Sequence, residues 1–493
     1  MSAMSDLQKA LRGIGLGLMG GLLGACVPGD ITSKAHLQDP RAFADSAAVA
    51  AAARSAQWPS ERWWEAWSDP QLDALLARAV AGSPDLRAAQ ARLEQANAQA
   101  RIAGADRLPQ LGSSAGLNRE RISHDAEARS GETVWANSIG LDLTWELDLW
   151  GRSRAAAEGA LSLAKSMAAE QRGVQLALQT AVVRAYVQLA LQYALRDTAL
   201  AVDQQSRENR DIIAKRHAAG LASALELSQA NTQLAIGRNE IEAAEQQIAL
   251  QRNQVAALIG QGPGAGDSIT RPQLRLNVPL VLPENLQADL LGHRPDIVSL
   301  RWQVEAASTD ITVARAAFYP NINLTAMASM VSSAASSGVV NFMNHDTLGG
   351  SYGFAVSLPL FDGGRRRGQY GVAMSSYDEA VENYNSAVLS AMREVADQVV
   401  SLQSLQKQQA NAQDSMMQAQ QAYDLALRGY RAGVTEYLDV LTTQTTLERQ
   451  RQQLDQVRSD RFDAWAQLID ALGGGWTVPN AAVQSKEATD APS

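Results

Sequence analysis

Three carboxylates of the 493-residue chain stand out by position: Glu226, Glu436 and Asp439 each follow closely on a helix-breaking glycine, Gly220 or Gly433. Acids in the first turns of a helix complement its dipole. Repeated about an axis by copies of the chain, the same acids would form rings that attract cations and repel anions. Both readings stay open on the sequence. Catalysis and metal binding find less material. The five histidines (His36, His124, His217, His293 and His345) are scattered, without the paired spacing of a metal site. Gly473-Gly474-Gly475 follows a helical stretch and lacks the Lys and Ser/Thr of a phosphate loop, so it reads as a helix stop. No grouping of acid, base and nucleophile emerges, and neither an enzyme nor a cofactor is expected. Arg365-Arg366-Arg367 opens a helix, where the dipole disfavours cations. The run calls for partners such as carboxylates of a neighbouring copy or lipid headgroups, unless it is a solvated positive patch.

The single cysteine, Cys26, ends a segment of another kind. Lys9 and Arg12 precede an uncharged Gly/Leu-rich run from Gly13 to Ala25, about half the length a bilayer span needs. A basic stretch, a short apolar stretch and small residues together describe a signal peptide. Leu23-Gly24-Ala25-Cys26 resembles a bacterial lipobox. That resemblance implies cleavage before Cys26, acylation of its thiol and, with Val27 following instead of Asp, sorting to an outer membrane. The alternative is an ordinary signal peptide with an incidental cysteine. Acyl chains anchor a protein without making it span, and no later run of about 18 apolar residues is apparent. The net charge of −9 argues against a nucleic-acid partner. Aromatic residues are only 5% of the chain, a bias toward long helices over a bulky compact core.

The elements that must position these residues are written twice. Ser83-Pro84-Asp85-Leu86 corresponds to Arg294-Pro295-Asp296-Ile297, and Pro109 to Pro320, both at an offset of 211. Ala219-Gly220-Leu221 matches Ala432-Gly433-Val434, and Leu225-Glu226-Leu227 matches Leu438-Asp439-Val440, at 213. Even Ile259-Gly260 falls on Leu472-Gly473. A nearly constant offset over this span marks a tandem duplication. No Pro lies between Pro109 and Pro263 or between Pro359 and Pro479, so both windows are free to hold very long helices.

Each copy contains an alternating hairpin. Ile139, Leu141, Leu143, Trp145, Leu147 and Leu149 share one face; Ser138, Gly140, Asp142, Thr144, Glu146 and Asp148 share the other. Tyr352, Phe354, Val356, Leu358 and Leu360 alternate similarly, opposite Ile322, Leu324, Ala326, Ala328 and Met330. Such alternation fits membrane barrel strands, apolar to lipid and polar to a lumen. Four strands cannot close a barrel, and open edges do not persist in lipid. Two, three or four copies would therefore supply eight, twelve or sixteen strands. Tyr377, Val381, Tyr384, Val388, Ala391 and Val395 form an amphipathic seam on the second long helix, as Leu178, Ala181, Val182, Ala185 and Leu189 do on the first. The chain thus divides into a signal peptide (1–25), a lipid-anchored segment (26–68), a first repeat (69–260), a connector (261–283), a second repeat (284–475) and a flexible tail (476–493). The first repeat holds a helix, a hairpin (110–149), a long helix (152–216) and a return helix (222–260). The second holds a helix, a hairpin (321–360), a long helix (365–431) and a return helix (435–472).

Eight motifs in order resemble one family. They run from Trp63-Trp64 with Ser68-Asp69-Pro70-Gln71-Leu72, through Pro84-Asp85-Leu86 and Trp145-Glu146-Leu147-Asp148-Leu149-Trp150-Gly151-Arg152, to Leu291-Gly292-His293-Arg294-Pro295-Asp296-Ile297. Ala314-Arg315-Ala316-Ala317-Phe318-Tyr319-Pro320, Leu360-Phe361-Asp362-Gly363-Gly364, Tyr430-Arg431-Ala432-Gly433 and Ala471-Leu472-Gly473-Gly474-Gly475-Trp476 follow. Together they resemble the outer membrane factors, the TolC-like exit ducts of tripartite efflux pumps, in their lipoprotein (NodT-type) branch. The resemblance implies an α+β membrane protein forming a homotrimer. A twelve-stranded outer-membrane β-barrel, four strands per chain, would continue into a long periplasmic α-helical barrel. It also implies a periplasmic membrane-fusion adaptor and an inner-membrane transporter of the resistance-nodulation-division type as partners, with outer-membrane lipid around the barrel. The implied function is passive conduction of drugs or other small molecules to the exterior. A non-conducting trimeric spacer that docks the adaptor is the alternative, and the polar hairpin faces argue against it.

In that family the turns from Arg216 to Glu226 and from Tyr430 to Asp439 form the periplasmic aperture. The resemblance therefore places Glu226, Glu436, Asp439, Arg216, Tyr430 and Arg431 at the aperture, Asp439 on a family acid position. Gly220, Leu221, Ser223, Gly433, Val434 and Thr435 match the tips that contact the adaptor. Thr442 stands where some members carry a second acid, and Thr435 where some carry a base. The ion-pair latch of those members is not carried over whole.

Overall fold

The computed structural model describes residues 29–39, 43, 46–52, 58–121, 133–275, 292–334 and 348–477. Cys26, the signal peptide, His124 and His345 lie outside them. The described chain runs α1 (Ala47–Ala52), α2 (Pro70–Gly82), α3 (Pro84–Ala105), β1 (Gln110–Arg121), β2 (Thr133–Glu146), α4 (Arg152–Ala218) and α5 (Ala224–Leu258). It continues with α6 (Pro295–Ala316), β3 (Asn321–Ala334), β4 (Leu348–Ser357), α7 (Arg365–Ala432) and α8 (Tyr437–Ala471). Short 3-10 helices occupy Trp63–Trp67 and Pro263–Ser268. The long helices contain 67 and 68 residues.

Two compact units emerge. The first comprises the described residues of 1–37, 92–167 and 300–384. Its sheet has the order β1-β2-β3-β4, antiparallel throughout. The register Leu111↔Leu143, Leu141↔Ala328 and Ala326↔Tyr352 carries one face across all four strands. Ile139, Leu141, Leu324, Met330, Tyr352 and Phe354 share that face, while Asp142, Thr144, Asn323 and Ser351 share the other. Among the described residues nothing covers the apolar face: Tyr352 is 91% exposed and Phe354 70%. Soluble proteins rarely leave so continuous an apolar surface open.

At the start of α7, two arginines of the run, Arg366 and Arg367, have carboxylate partners within the chain. Asp362 accepts from the Gly364 N–H at 3.0 Å and from Arg366 Nε at 2.6 Å, capping the helix and neutralising the cation together. Arg367 pairs with Asp30. Further along, Asp378 accepts from Ser33 Oγ at 2.6 Å and from the Lys34 N–H at 3.2 Å. The Ser33 hydrogen bond, with those from the backbone, holds the Asp378 carboxyl below its ordinary range. Asp378→Ala is expected to speed proteolytic cleavage within residues 29–39 several-fold without changing cleavage elsewhere. An unchanged digestion pattern would show that other contacts hold this segment.

The second unit comprises the described residues of 38–91, 168–299 and 385–493. Its core gathers Trp63, Trp64, Trp67, Leu72, Tyr186, Leu189, Ile259, Val395 and Leu468. Asp69 caps α2 through the Gln71 N–H (3.0 Å), and Pro70 supplies the preset first helical residue. The other Asp69 oxygen accepts from Tyr186 Oη at 2.9 Å and from the Gln273 N–H at 2.7 Å. One cap thus ties α2, α4 and the chain after α5 together. By length and apolar composition α4 would pass for a membrane span, which corrects the expectation of no such run. Half of that stretch is buried, and Val182, Val183, Tyr186 and Leu189 belong to the core. Trp476, at the expected start of the tail, is held to the second unit. Its carbonyl accepts from His293 Nδ1 at 2.8 Å.

Candidate functional site

All twelve aperture and tip residues lie in the second unit, around two turns built alike. Where α4 ends, the Leu221 N–H reaches Arg216 O at 2.8 Å and the Gly220 N–H reaches His217 O at 2.9 Å. Where α7 ends, Val434 reaches Gly429 O at 2.9 Å and Gly433 reaches Tyr430 O at 3.1 Å, each residue offset by 213. Gly220 and Gly433 sit at φ +73° and +77°, as this helix ending requires.

The return helices then start in matching fashion. Ser223 Oγ accepts from the Glu226 N–H (3.2 Å), and Glu226 Oε2 accepts from the Ser223 N–H (2.7 Å). Asp439 Oδ2 accepts from the Glu436 N–H at 3.3 Å. Glu226 and Asp439 therefore both work as helix caps. Asp439 and Glu436 are exposed, whereas Glu226 is half-buried.

Arg216 joins the two turns. Its Nη1 donates to Tyr430 O at 3.3 Å, and its guanidinium lies 4.9 Å from the centre of the Tyr430 ring. Tyr430 is buried and packs against Tyr437 at 5.7 Å. Burial pushes the Tyr430 phenol up, the Glu226 charge adds to this, and Arg216 opposes it. Burial likewise raises Tyr437 to about 12. Both phenols are uncharged at neutral pH. Thr435 Oγ1 donates to Ala426 O at 3.2 Å, and its side chain occupies the space a Cβ on Gly429 would need. Arg431 is exposed.

Several residues of this cluster escaped the sequence reading. Asn209 Nδ2 donates to Tyr423 Oη (3.1 Å) and to Gln444 Oε1 (3.0 Å), and Gln444 Nε2 donates to Ser206 Oγ (2.8 Å). Ser206, Asn209 and Arg216 recur at helical spacing beside the buried Ile213, polar positions on an otherwise apolar face. Tyr423 lies one heptad before Tyr430. Those spacings were the available signal. Outside the turn hydrogen bonds, both tips leave apolar side chains in solvent: Leu221 and Leu225 on one, Val434 and Leu438 on the other.

The outer membrane efflux protein family model matches residues 75–261 and again 286–474. The fusaric acid resistance protein FusA of Burkholderia cepacia is 40% identical over 356 residues, covering 71% of this chain and 67% of FusA. The pyoverdine export outer membrane protein OpmQ of Pseudomonas aeruginosa is 35% identical over 92% of this chain and 95% of its own length. Among solved structures, the outer membrane protein VceC of Vibrio cholerae aligns with a TM-score of 0.79 at 35% identity, covering 85% of this chain and all of VceC (100%). The fold of the outer-membrane channel OprN is also similar, with a TM-score of 0.80 over 91% of this chain and 98% of OprN at 24% identity. Two tandem matches and likeness along most of its length lead to one conclusion: this chain belongs to the outer membrane efflux protein family and is an efflux channel of the outer membrane, with the fold of the TolC-like ducts.

Proposed function

We propose that three copies of the chain close a twelve-stranded barrel and form the passive exit duct of a tripartite pump, anchored by acylated Cys26. The observation that carries this reading is the sheet. Among the described residues its apolar face is uncovered, and β1 and β4 each have a paired neighbour on one side only. Unpaired edges are not viable in lipid, so further copies must cover them. The duplicated tips support the rest. Leu221, Leu225, Val434 and Leu438 offer a repeated apolar surface suited to the helical end of a periplasmic membrane-fusion adaptor. Gly220, Ser223, Gly433 and Thr435 hold the turns that present it. The inner-membrane partner is a transporter of the resistance-nodulation-division type. Relatives carry names for fusaric acid resistance, pyoverdine export and toluene efflux. Small organic molecules are the cargo this points to.

The aperture reading assigns Asp439 and Glu436 to acidic rings, with Arg216 and Tyr430 closing the turn and Arg431 and Glu226 beside them. Asp439→Asn keeps an acceptor for the Glu436 N–H while removing the charge. In planar bilayers the native protein is expected to conduct and to favour cations. The variant should lower the cation-to-anion permeability ratio by about twofold to fivefold, the effect of one exposed charge per copy. A native protein that does not conduct would overturn the duct. Conduction with unchanged selectivity in the variant would remove Asp439 from the ring.

A further inference from the structure

We propose that Glu240 and Glu448 share a proton and form a lock between the return helices α5 and α8, closing in acid and loosening as the pH rises. The proposal does not rest on the conduction reading, because it concerns packing within one compact unit. Both residues lie in helix interiors, far from any capping role. Glu448 is only 8% exposed, and Glu240 Oε2 is buried without a hydrogen-bond donor among the described residues. A buried carboxylate needs a cation, several donors or a proton. Among the described residues, no cation forms an ion pair with either carboxyl.

The packing level is set by neighbouring contacts. On α8, Gln444 bonds to Ser206 and Asp455 to Thr198, so Glu448 lies against the stretch of α4 between them. On α5, Gly237, one turn before Glu240, packs against Asp203 of α4. On α4 at this level, Asp203 and Arg207 pair with each other at 2.7 Å, and Glu208 is exposed and accepts from Gln204. On α8, Arg451 donates to Gln420 of α7 at 2.6 Å, and Arg449 is exposed. On α7, Asp424 is exposed and accepts from Gln420. On α5, Arg238 and Glu242 are exposed. Among the described residues, none of these arginines forms an ion pair with Glu240 or Glu448. A proton between the two carboxyls is the remaining solution, with the more buried Glu448 donating to Glu240.

The electrostatics agree. Burial first, then the hydrogen bond and negative charge of Glu240, push the Glu448 carboxyl up from 4.5 to about 7. The folded chain therefore holds a proton that the unfolded chain has released. The stabilisation is complete below about pH 4.5, declines across the window and is lost above about pH 7. Two carboxylates left in one buried site then repel each other. A periplasm that acidifies would stiffen the helical wall behind the tips.

Hydrogen–deuterium exchange of the full-length protein in lipid nanodiscs at pH 5.5 and pH 8 tests this, after correction for intrinsic exchange. In the native protein, protection of segments 236–244 and 444–452 should fall by about tenfold at pH 8, the equivalent of one pKa unit. Glu448→Gln, permanently neutral and able to donate, should hold high protection at both values. Glu240→Gln provides the independent check: without the partner charge, the transition should move to lower pH. Native protection that ignores pH would overturn the lock. So would an undiminished pH response in Glu448→Gln, or an unmoved midpoint in Glu240→Gln.

Discussion

Replacing Gly473 or Gly260 by Ala is expected to destabilise the protein by about 2–5 kcal/mol and to lower its melting temperature in detergent by several degrees. Two costs add. The glycines sit at φ +88° and +71°, where an L-residue loses about 1–2 kcal/mol. A Cβ on Gly473 would stand 2.1 Å from His293 O, and one on Gly260 would stand 2.2 Å from Gly82 O. Prising apart such contacts costs about 1–3 kcal/mol more. The two sites are copies of one design. Gly260 and Gly473 end the return helices at an offset of 213, and the carbonyls they meet, on Gly82 and His293, are offset by 211. The duplicated junction between return helix and first helix thus demands glycine twice. Gly262→Ala is the control, since Gly262 has φ −69° and a Cβ there would meet no atom within 4 Å beyond its chain neighbours. It should melt within about 0.5 kcal/mol of the native protein. Should Gly473→Ala and Gly262→Ala melt alike, the close approach does not constrain the fold.

That junction illustrates what the sequence makes legible. Repeated glycines and prolines at constant offset reveal the duplication, because turns and helix starts demand particular residues whatever packs around them. Strand alternation is legible for a similar reason: period two assigns faces without knowledge of the neighbour. Partners are a different matter. Arg366 and Asp362 are four residues apart, and their pairing follows from helix geometry. Arg367 and Asp30 are separated by 337 positions, and nothing local announces them. The tyrosine cluster at the tip draws Tyr423 and Tyr430 from α7 and Tyr437 from α8, so only folding assembles it. Glu448 resembles any solvated helix acid until α4 and α5 cover it. The roles of Glu226 and Asp439 are divided in the sequence between ring and cap because both depend on the same first-turn position. Their backbone hydrogen bonds establish the cap.

Arg294→Met is the second substitution expected to act strongly, at about 3 kcal/mol, the lower end for breaking a buried ion pair because its acidic partners are partly exposed. The Arg294 guanidinium is buried and joins three helices. Its Nε and Nη2 meet the two oxygens of Asp296, in the first turn of α6, at 3.1 and 2.7 Å. Its Nη1 donates to Glu394 Oε2 in α7 at 2.8 Å and to Ala471 O at the end of α8 at 3.0 Å. Burial alone would push the Asp296 carboxyl up, but the hydrogen bonds and charge of Arg294 outweigh it and hold Asp296 below its ordinary range. The resulting stabilisation is present above the unfolded value of about 4 and is lost as the pH falls through the lower folded value. Acid should therefore destabilise the native protein through this site, and Arg294→Met should lose that part of the response. Arg294→Lys discriminates charge from geometry. Lysine keeps the cation but not the planar fork that grips both Asp296 oxygens while reaching the Ala471 carbonyl. Thermal melts at pH 7 should rank native, then Lys, then Met. A lysine variant as stable as the native protein would mean that one positive charge suffices there, and that the fork holding α6, α7 and α8 together contributes nothing of its own.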